Sequence, residues 1–381
     1  MTLFLPLDLR PRTLVAFAAL GLWWGSWGAL LPAVQRSAGV DDGQLGTAVL
    51  FVGVGALASM RFTGSLLDRV GPVVLPVTVV LFAVAGVGPG LVEGTIGLSV
   101  ALLVVGVTSG AMDVAINAEG SRAEILTGRP LLNLSHAWFS IGVIVGSLGA
   151  GLLRSTGAGL ITVLVVVGVV VAVMAACLGA GEVPGDGSTA EPPARVMPGP
   201  WWRPPRYLAA LGVLLALAFL AENAWQTWAA VHLERDLGSS EGRAALGPAL
   251  FGAAAAAGRL LAHRWSRVGE RNVAVAGALV ATAGTLLGAA APSTALVLIG
   301  IALAGLGTGV CAPVLFGLAG RSVPAPSRGA AVGTVTTIGY LGFVLSPVFI
   351  GQLAGATTLP WALAAVAVVS LVLAVGIFRL R

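Results

Sequence analysis

Charged residues are sparse along this chain, and they fall between long apolar stretches. Twelve such stretches stand out, near residues 13–35, 44–64, 72–91, 95–118, 132–154, 159–181, 207–233, 244–263, 272–290, 293–316, 329–352 and 358–378. A helix needs roughly 20 apolar residues to cross hydrocarbon, so each stretch reads as one span with short connections. Proline within spans, as at Pro313 and Pro347, is tolerated where neighbouring helices satisfy the freed backbone groups. The pattern predicts an all-α membrane protein of 12 transmembrane helices.

Composition agrees with the pattern. Of 381 residues, 57% are hydrophobic and 10% charged, with mean hydropathy +0.96. A soluble chain is about a quarter charged, so water is not the solvent for most of this surface. All 21 cationic side chains are arginine; with so much Ala, Gly and Val, this points to a GC-rich bacterial genome. The first apolar run, Thr13 to Leu31, is too long for a signal-peptide core and lacks a small-residue cleavage site. Cys177 and Cys311 fall within apolar spans and read as packing residues rather than a disulfide.

Arginine placement sets the orientation. With both termini inside, the inner segments hold 17 of the 21 arginines, and the outer ones keep Arg36, Arg154, Arg235 and Arg243. The bias requires an even number of spans and implies a multi-pass protein of the cytoplasmic membrane with both termini cytoplasmic. It also accounts for the net charge of +5 without a nucleic-acid partner.

Residues 182–206 break the apolar pattern with seven prolines and read as a cytoplasmic linker. It separates an N-terminal six-helix bundle, 1–181, from a C-terminal one, 207–381. The two repeat each other. Trp24-Gly-Ser-Trp27 returns as Trp225-Gln-Thr-Trp228, and Leu45-Gly46-Thr-Ala48 as Leu246-Gly247-Pro-Ala249, both at an offset of 201. Gly106 and Gly110 return as Gly305 and Gly309; Gly142, Gly146-Ser147 and Gly151 return as Gly342, Ser346-Pro347 and Gly351. Agreement on nearly one offset between corresponding spans implies two pseudo-symmetric six-helix bundles with a central site.

The segment after span 2 reads Gly64-Ser-Leu66-Leu-Asp68-Arg69-Val-Gly71. It resembles the signature loop of the major facilitator superfamily, Gly-x-Leu-x-Asp-Arg-x-Gly, although Pro72 and Val73 stand where basic residues follow in the family. The second half keeps a degraded copy, Gly258-Arg259-Leu260-Leu261-Ala-His263-Arg264, without the aspartate. Span 5 carries Gly142-x-x-x-Gly146-Ser147, similar to the antiporter-type Gly-x-x-x-Gly-Pro motif with serine in place of proline. Met112-Asp113-Val-Ala-Ile-Asn117, Ser135-His136-Ala-Trp-Phe-Ser140-Ile-Gly142 and Pro313-Val-Leu-Phe316-Gly-Leu-Ala-Gly320-Arg321 resemble its bacterial sugar-permease-like or drug-efflux-like branch. The resemblance spans essentially the whole chain. It implies that Asp68 with Arg69 latches the cytoplasmic face near Ser327, where a helix N-terminus favours an anion.

Residues shared by the repeats suit the scaffold, whereas unmatched polar residues within spans are candidates for chemistry. Asp113 shares a helical stripe with Gly106, Gly110 and Asn117; the second half has Ala312 and Phe316 at the corresponding places. It is either a proton-carrying carboxylate, with Asn117 at the substrate, or an interhelical hydrogen-bond lock. His136, at similar depth on span 5, could pair with Asp113 as a proton relay, or cap the inner mouth as a satisfied histidine. Glu222 lies near the middle of span 7, where an unpaired charge is costly and usually faces a cavity or partner. With Asn223, Trp225 and Gln226 it forms a candidate substrate and proton site. Trp24 and Trp225 either stack on a substrate ring or pack. Asp41, Asp42, Glu234 and Asp236 read as solvated loop charges. Glu119, Arg122, Glu124 and Arg129 read as inner-loop salt bridges that help close a gate.

A chain without lysine has no phosphate-binding Gly-x-x-x-x-Gly-Lys loop, and no Cys/His metal set is visible. No enzyme activity, cofactor or metal is therefore expected. The combined expectation is a monomeric secondary transporter in the lipid bilayer, moving a small organic solute by alternating access with protons. Multidrug–proton antiport, an uncoupled facilitator and a non-transporting receptor or scaffold are the alternatives. Multidrug efflux is disfavoured by Ser147 and by the lack of an obvious large aromatic cluster.

Overall fold

The computed structural model describes residues 9–127, 131–178, 205–264, 269–324 and 327–380. These form helices α1 (Leu9–Ala38), α2 (Asp42–Val70), α3 (Val74–Ala85), α4 (Gly94–Thr127), α5 (Leu132–Ser155), α6 (Leu160–Cys177), α7 (Arg206–Val231), the single-turn α8 (Glu241–Ala244), α9 (Leu246–Arg264), α10 (Glu270–Ala290), α11 (Thr294–Arg321), α12 (Arg328–Ala356) and α13 (Leu359–Arg379). Among the described residues, eleven helical stretches are long and apolar enough to span a membrane. The twelfth, α3, has 12 residues and continues through a 3-10 turn at Gly88–Gly90. Among the described residues there is no strand. Val84, Ile96, Leu152, Trp361 and Phe378 are each 66–83% exposed, which fits lipid rather than water around the helices.

Two helices run well past their expected ends. α2 continues to Val70, so Asp68 and Arg69 ride its last turn instead of a loop; Gly71 stops it at φ 79°, a left-handed value that glycine adopts without steric cost. At its start, Asp41 accepts from the Gln44 amide while the Gln44 side chain accepts from the Asp41 amide, a capping box that fixes the helix entry. α4 continues to Thr127 and carries Glu119, Arg122 and Glu124, which the sequence had suggested as loop charges. Glu124 accepts from the Leu131 and Leu132 amides at 2.5 and 2.8 Å, satisfying donors at the start of α5. The proline-rich linker up to residue 204, and Arg129, lie outside the described residues.

Two compact units result: residues 1–184 with 227–252, and residues 185–226 with 253–381. Within the first, α1 packs chiefly on α5 and α2 on α4, while α3 lies against α4 and α6. Within the second, α10 packs on α11 and α13, and α12 contacts α11 and α13.

The repeated glycines sit where helices cross. In the first unit a Cβ on Gly106 would overlap the Val52 backbone, and one on Gly110 would lie 2.6 Å from Ala56 Cα. In the second, Gly309 meets the Ala255 backbone in the same way, and Gly258 meets Leu306 as Gly55 meets Leu103. Gly142 and Gly146 of α5 press on Ala18 and Leu22 of α1, while Gly342 of α12 presses on Ala216 of α7. The Ser26 hydroxyl donates to Gly146 O at 3.1 Å, and Ser346 to Leu220 O at 2.9 Å. Small residues bring backbones into contact where lipid supplies no hydrophobic force between helices. Each unit taken alone uses the same crossings.

Candidate transport site

In the first unit, Asp113 lies on α4 one turn from Asn117. The Asn117 amide donates to the Asp113 carboxylate at 3.1 Å and to its backbone carbonyl at 2.8 Å. The expected Asp113–His136 pair is not formed. α4 packs on α2, but α5, which carries His136, packs on α1. There the exposed imidazole meets Phe17 edge-on, centroids 4.9 Å apart. Trp24 is half-buried beside Trp23 and Phe82. Asp68, Arg69 and Arg122 are exposed. Arg69 edges a groove of about 440 Å³ between α2 and α4, floored by Phe62, Leu66, Val107 and Ala111.

Asp42, Glu234 and Asp236, expected as solvated loop charges, are instead paired, and Glu119, expected in a loop salt bridge, pairs within the helices. Glu119 is 7% exposed and meets Arg12, 8% exposed, at 3.0 Å, a buried ion pair joining α4 to α1. Asp42 accepts from Arg235 at 2.6 Å and from Gln35 at 2.8 Å. Glu241 binds both Arg154 and Arg36, and Arg36 also binds Glu234. His232 Nδ1 lies 2.8 Å from Asp236 across the π-helical turn that ends α7. Within the first unit these links tie residues 232–245 to α1, α2 and α5, and the Ser147 hydroxyl adds a bond to Ala245 O at 2.7 Å. They form because the chain re-enters a helix soon after the turn, so the loops are too short to hold their charges out in water.

In the second unit, Glu222 is almost fully buried on α7. Its Oε1 accepts from Arg259 Nη2 of α9 at 2.9 Å and from Gln226 Nε2 at 3.0 Å. By arginine placement Arg259 counts among the inner-segment charges, yet it lies four residues inside the span predicted at 244–263. Phe219, Glu222, Asn223 and Gln226 follow helical spacing and share one face of α7. Trp225 points away from that face. It is 0% exposed, donates to Thr285 Oγ1 at 3.1 Å and lies over Gly288, a packing position.

An aromatic cluster missed in the sequence adjoins this face. Phe219 of α7, Phe316 of α11 and Tyr340 and Phe343 of α12 bring their ring centroids within 4.5–6.5 Å. Multidrug efflux is therefore not disfavoured by want of an aromatic cluster. The rings come from α7 and the consecutive helices α11 and α12, and only the repeat comparison, which sets Phe316 against Asn117, bears on one of them.

A carboxylate, a guanidinium, amides and rings on lipid-embedded helices suit solute binding rather than covalent chemistry. An uncharacterised MFS-type transporter of Yersinia pestis is 31% identical over 365 residues, covering 95% of this chain and 93% of the relative. The chain belongs to the major facilitator superfamily. The superfamily's own profile, described as Major Facilitator Superfamily, matches residues 211–381. An uncharacterised transporter of Sinorhizobium fredii is 30% identical over 350 residues, 90% of each chain. A mutant form of the nucleoside transporter NupG has the same fold, with a TM-score of 0.81 at 15% identity over 98% of this chain and 99% of that one. As a facilitator-superfamily transporter, this protein is a multi-pass membrane protein that takes a small-molecule substrate.

Proposed function

We propose that this transporter couples movement of a small organic solute to protons, with Asp113 as the proton carrier. The observation that supports this reading is the setting of Asp113. Its carboxylate lies inside a spanning helix, bonded to Asn117 and to no cation among the described residues. A proton is then the partner that removes its charge from the low-dielectric interior, and so biases which conformation is favoured. His136, with its exposed imidazole, and Glu222 are assigned to the same coupling. Asn117, Trp24, Asn223 and Gln226 are assigned to the solute. Asp68, Arg69 and Arg122 are assigned to a gate on the cytoplasmic side, with both termini cytoplasmic, in a monomer of the bacterial cytoplasmic membrane. The four-ring cluster favours a second reading, proton-driven export of ring-bearing compounds.

The test is electrophysiology on a solid-supported membrane with reconstituted protein, applying sugars, sugar acids and lipophilic cations under a pH gradient. A solute-dependent current that vanishes in Asp113→Asn, with solute counterflow retained, is expected. An unchanged pH-driven current in that variant refutes the coupling role.

A further inference from the structure

Resting on the assignment of solute contacts to α7, we infer that its Phe219–Glu222–Gln226 face, with Arg259 and the four-ring cluster, selects ring-bearing carboxylates. The two charges of the pair are unequally available. Glu222 is 8% exposed and its Oε1 already accepts two hydrogen bonds; Arg259 is 41% exposed and engages Glu222 through Nη2. A guanidinium has five N–H donors in a fork that matches a carboxylate. The pole offered to a ligand is therefore positive, and Glu222 orients it. The exposed Gln226 amide lies one turn beyond Glu222. Phe219 lies one turn before Glu222, about 5 Å along the axis, and its ring joins Phe316, Tyr340 and Phe343.

Charge and rings together narrow the ligand class. A small hydrophilic anion such as acetate gains nothing from four aromatic rings. An aromatic cation is drawn to ring faces, but here it meets an exposed guanidinium while the compensating carboxylate is covered. A flat ring bearing one carboxylate satisfies both halves of the face, with the ring on the aromatic cluster and the anion on Arg259.

The test is calorimetric titration of the full-length protein in detergent, without a gradient, using benzoate, benzamide, benzamidine and acetate. The first three share one ring and differ in charge. A hydrogen bond to a charged group predicts benzoate binding roughly 10- to 100-fold tighter than benzamide, with benzamidine weaker still and acetate silent. The double variant Glu222→Gln/Arg259→Gln, which leaves no buried charge unpaired, should lose the benzoate preference. Phe343→Leu should weaken benzoate and benzamide alike. Preference for benzamidine, a benzoate preference that survives the double variant, or no binding by any ring compound overturns the inference. Because no gradient is applied, absent benzoate binding alongside proton-driven currents with other solutes rejects this inference alone. Benzoate binding without proton-driven currents rejects only the coupling reading.

Discussion

Arg259 and Glu222 meet at 2.9 Å across α7 and α9, with the carboxylate almost sealed and the guanidinium two-fifths exposed. Removing one partner therefore has unequal effects. Arg259→Ala strands a buried carboxylate and should lower stability by up to about 3 kcal/mol, the low end for buried pairs because the guanidinium is only partly covered. Glu222→Gln keeps the Gln226 neighbour, leaves an exposed cation and should cost less. The double variant Glu222→Gln/Arg259→Gln should recover most of the Arg259→Ala loss. Thermal unfolding in detergent, arranged as a double-mutant cycle, measures all three; an Arg259→Ala protein as stable as the parent would show that the pair does not neutralise Glu222.

Arg12 and Glu119 form a tighter case, because both are nearly excluded from solvent. Either single substitution to alanine removes the nearest opposite charge of a buried group and should cost up to about 3–5 kcal/mol, with Arg122 remaining as a second cation near Glu119. Replacing both by apolar residues of similar volume, Arg12→Met with Glu119→Leu, should be near neutral in stability. A double variant as unstable as the singles would mean that the pair contributes more than charge balance between α1 and α4.

Neighbouring glycines on α5 should separate packing from propensity. Gly146 lies against the Leu22 backbone, whereas nothing lies within 4 Å of a Cβ placed on Gly149. Gly146→Ala forces α1 and α5 apart and should destabilise by about 1–3 kcal/mol. Gly149→Ala meets open space and should be neutral or gain up to about 1 kcal/mol from helix propensity. Equal melting temperatures for the two variants would remove the close-approach explanation for the repeated glycines.

The span pattern and the repeat were legible because lipid demands long apolar helices and close crossings demand small residues; both leave one-dimensional traces. Asp113 and Glu222 were legible for the same reason, since a carboxylate in an apolar run is conspicuous. Their partners were less so. Arg259 looked like one more inner-loop arginine, and its reach to Glu222 depends on how α9 lies beside α7. Phe219, Phe316, Tyr340 and Phe343 are ordinary apolar residues until three helices bring them together. Trp225 shows the opposite lesson. It matches Trp24 in the repeat, yet its ring is buried over Gly288 and bonded to Thr285, whereas Trp24 is half-buried.

The charges at residues 234–241 carry the last prediction. Glu241 holds two arginines; Arg36 is 55% exposed, Arg154 19% and Glu241 itself 29%, so only the Arg36 contact lies at the surface. Solvent-exposed pairs contribute roughly 0–1 kcal/mol, so in Glu241→Gln the lost Arg36 contact should change stability little, and that change should shrink further above 0.1 M salt, where screening acts within about 10 Å. Asp42 differs. Its side chain is 10% exposed and accepts from both Arg235 and Gln35, and hydrogen bonds to a charged group contribute about 1.5–3 kcal/mol. Asp42→Asn should therefore destabilise more than Glu241→Gln, and its effect should persist in salt. Melting curves of both variants across a salt series check the order. If Glu241→Gln proves the costlier and salt-insensitive change, the Arg36–Glu241–Arg154 cluster, not Asp42, anchors residues 232–245 to the first unit.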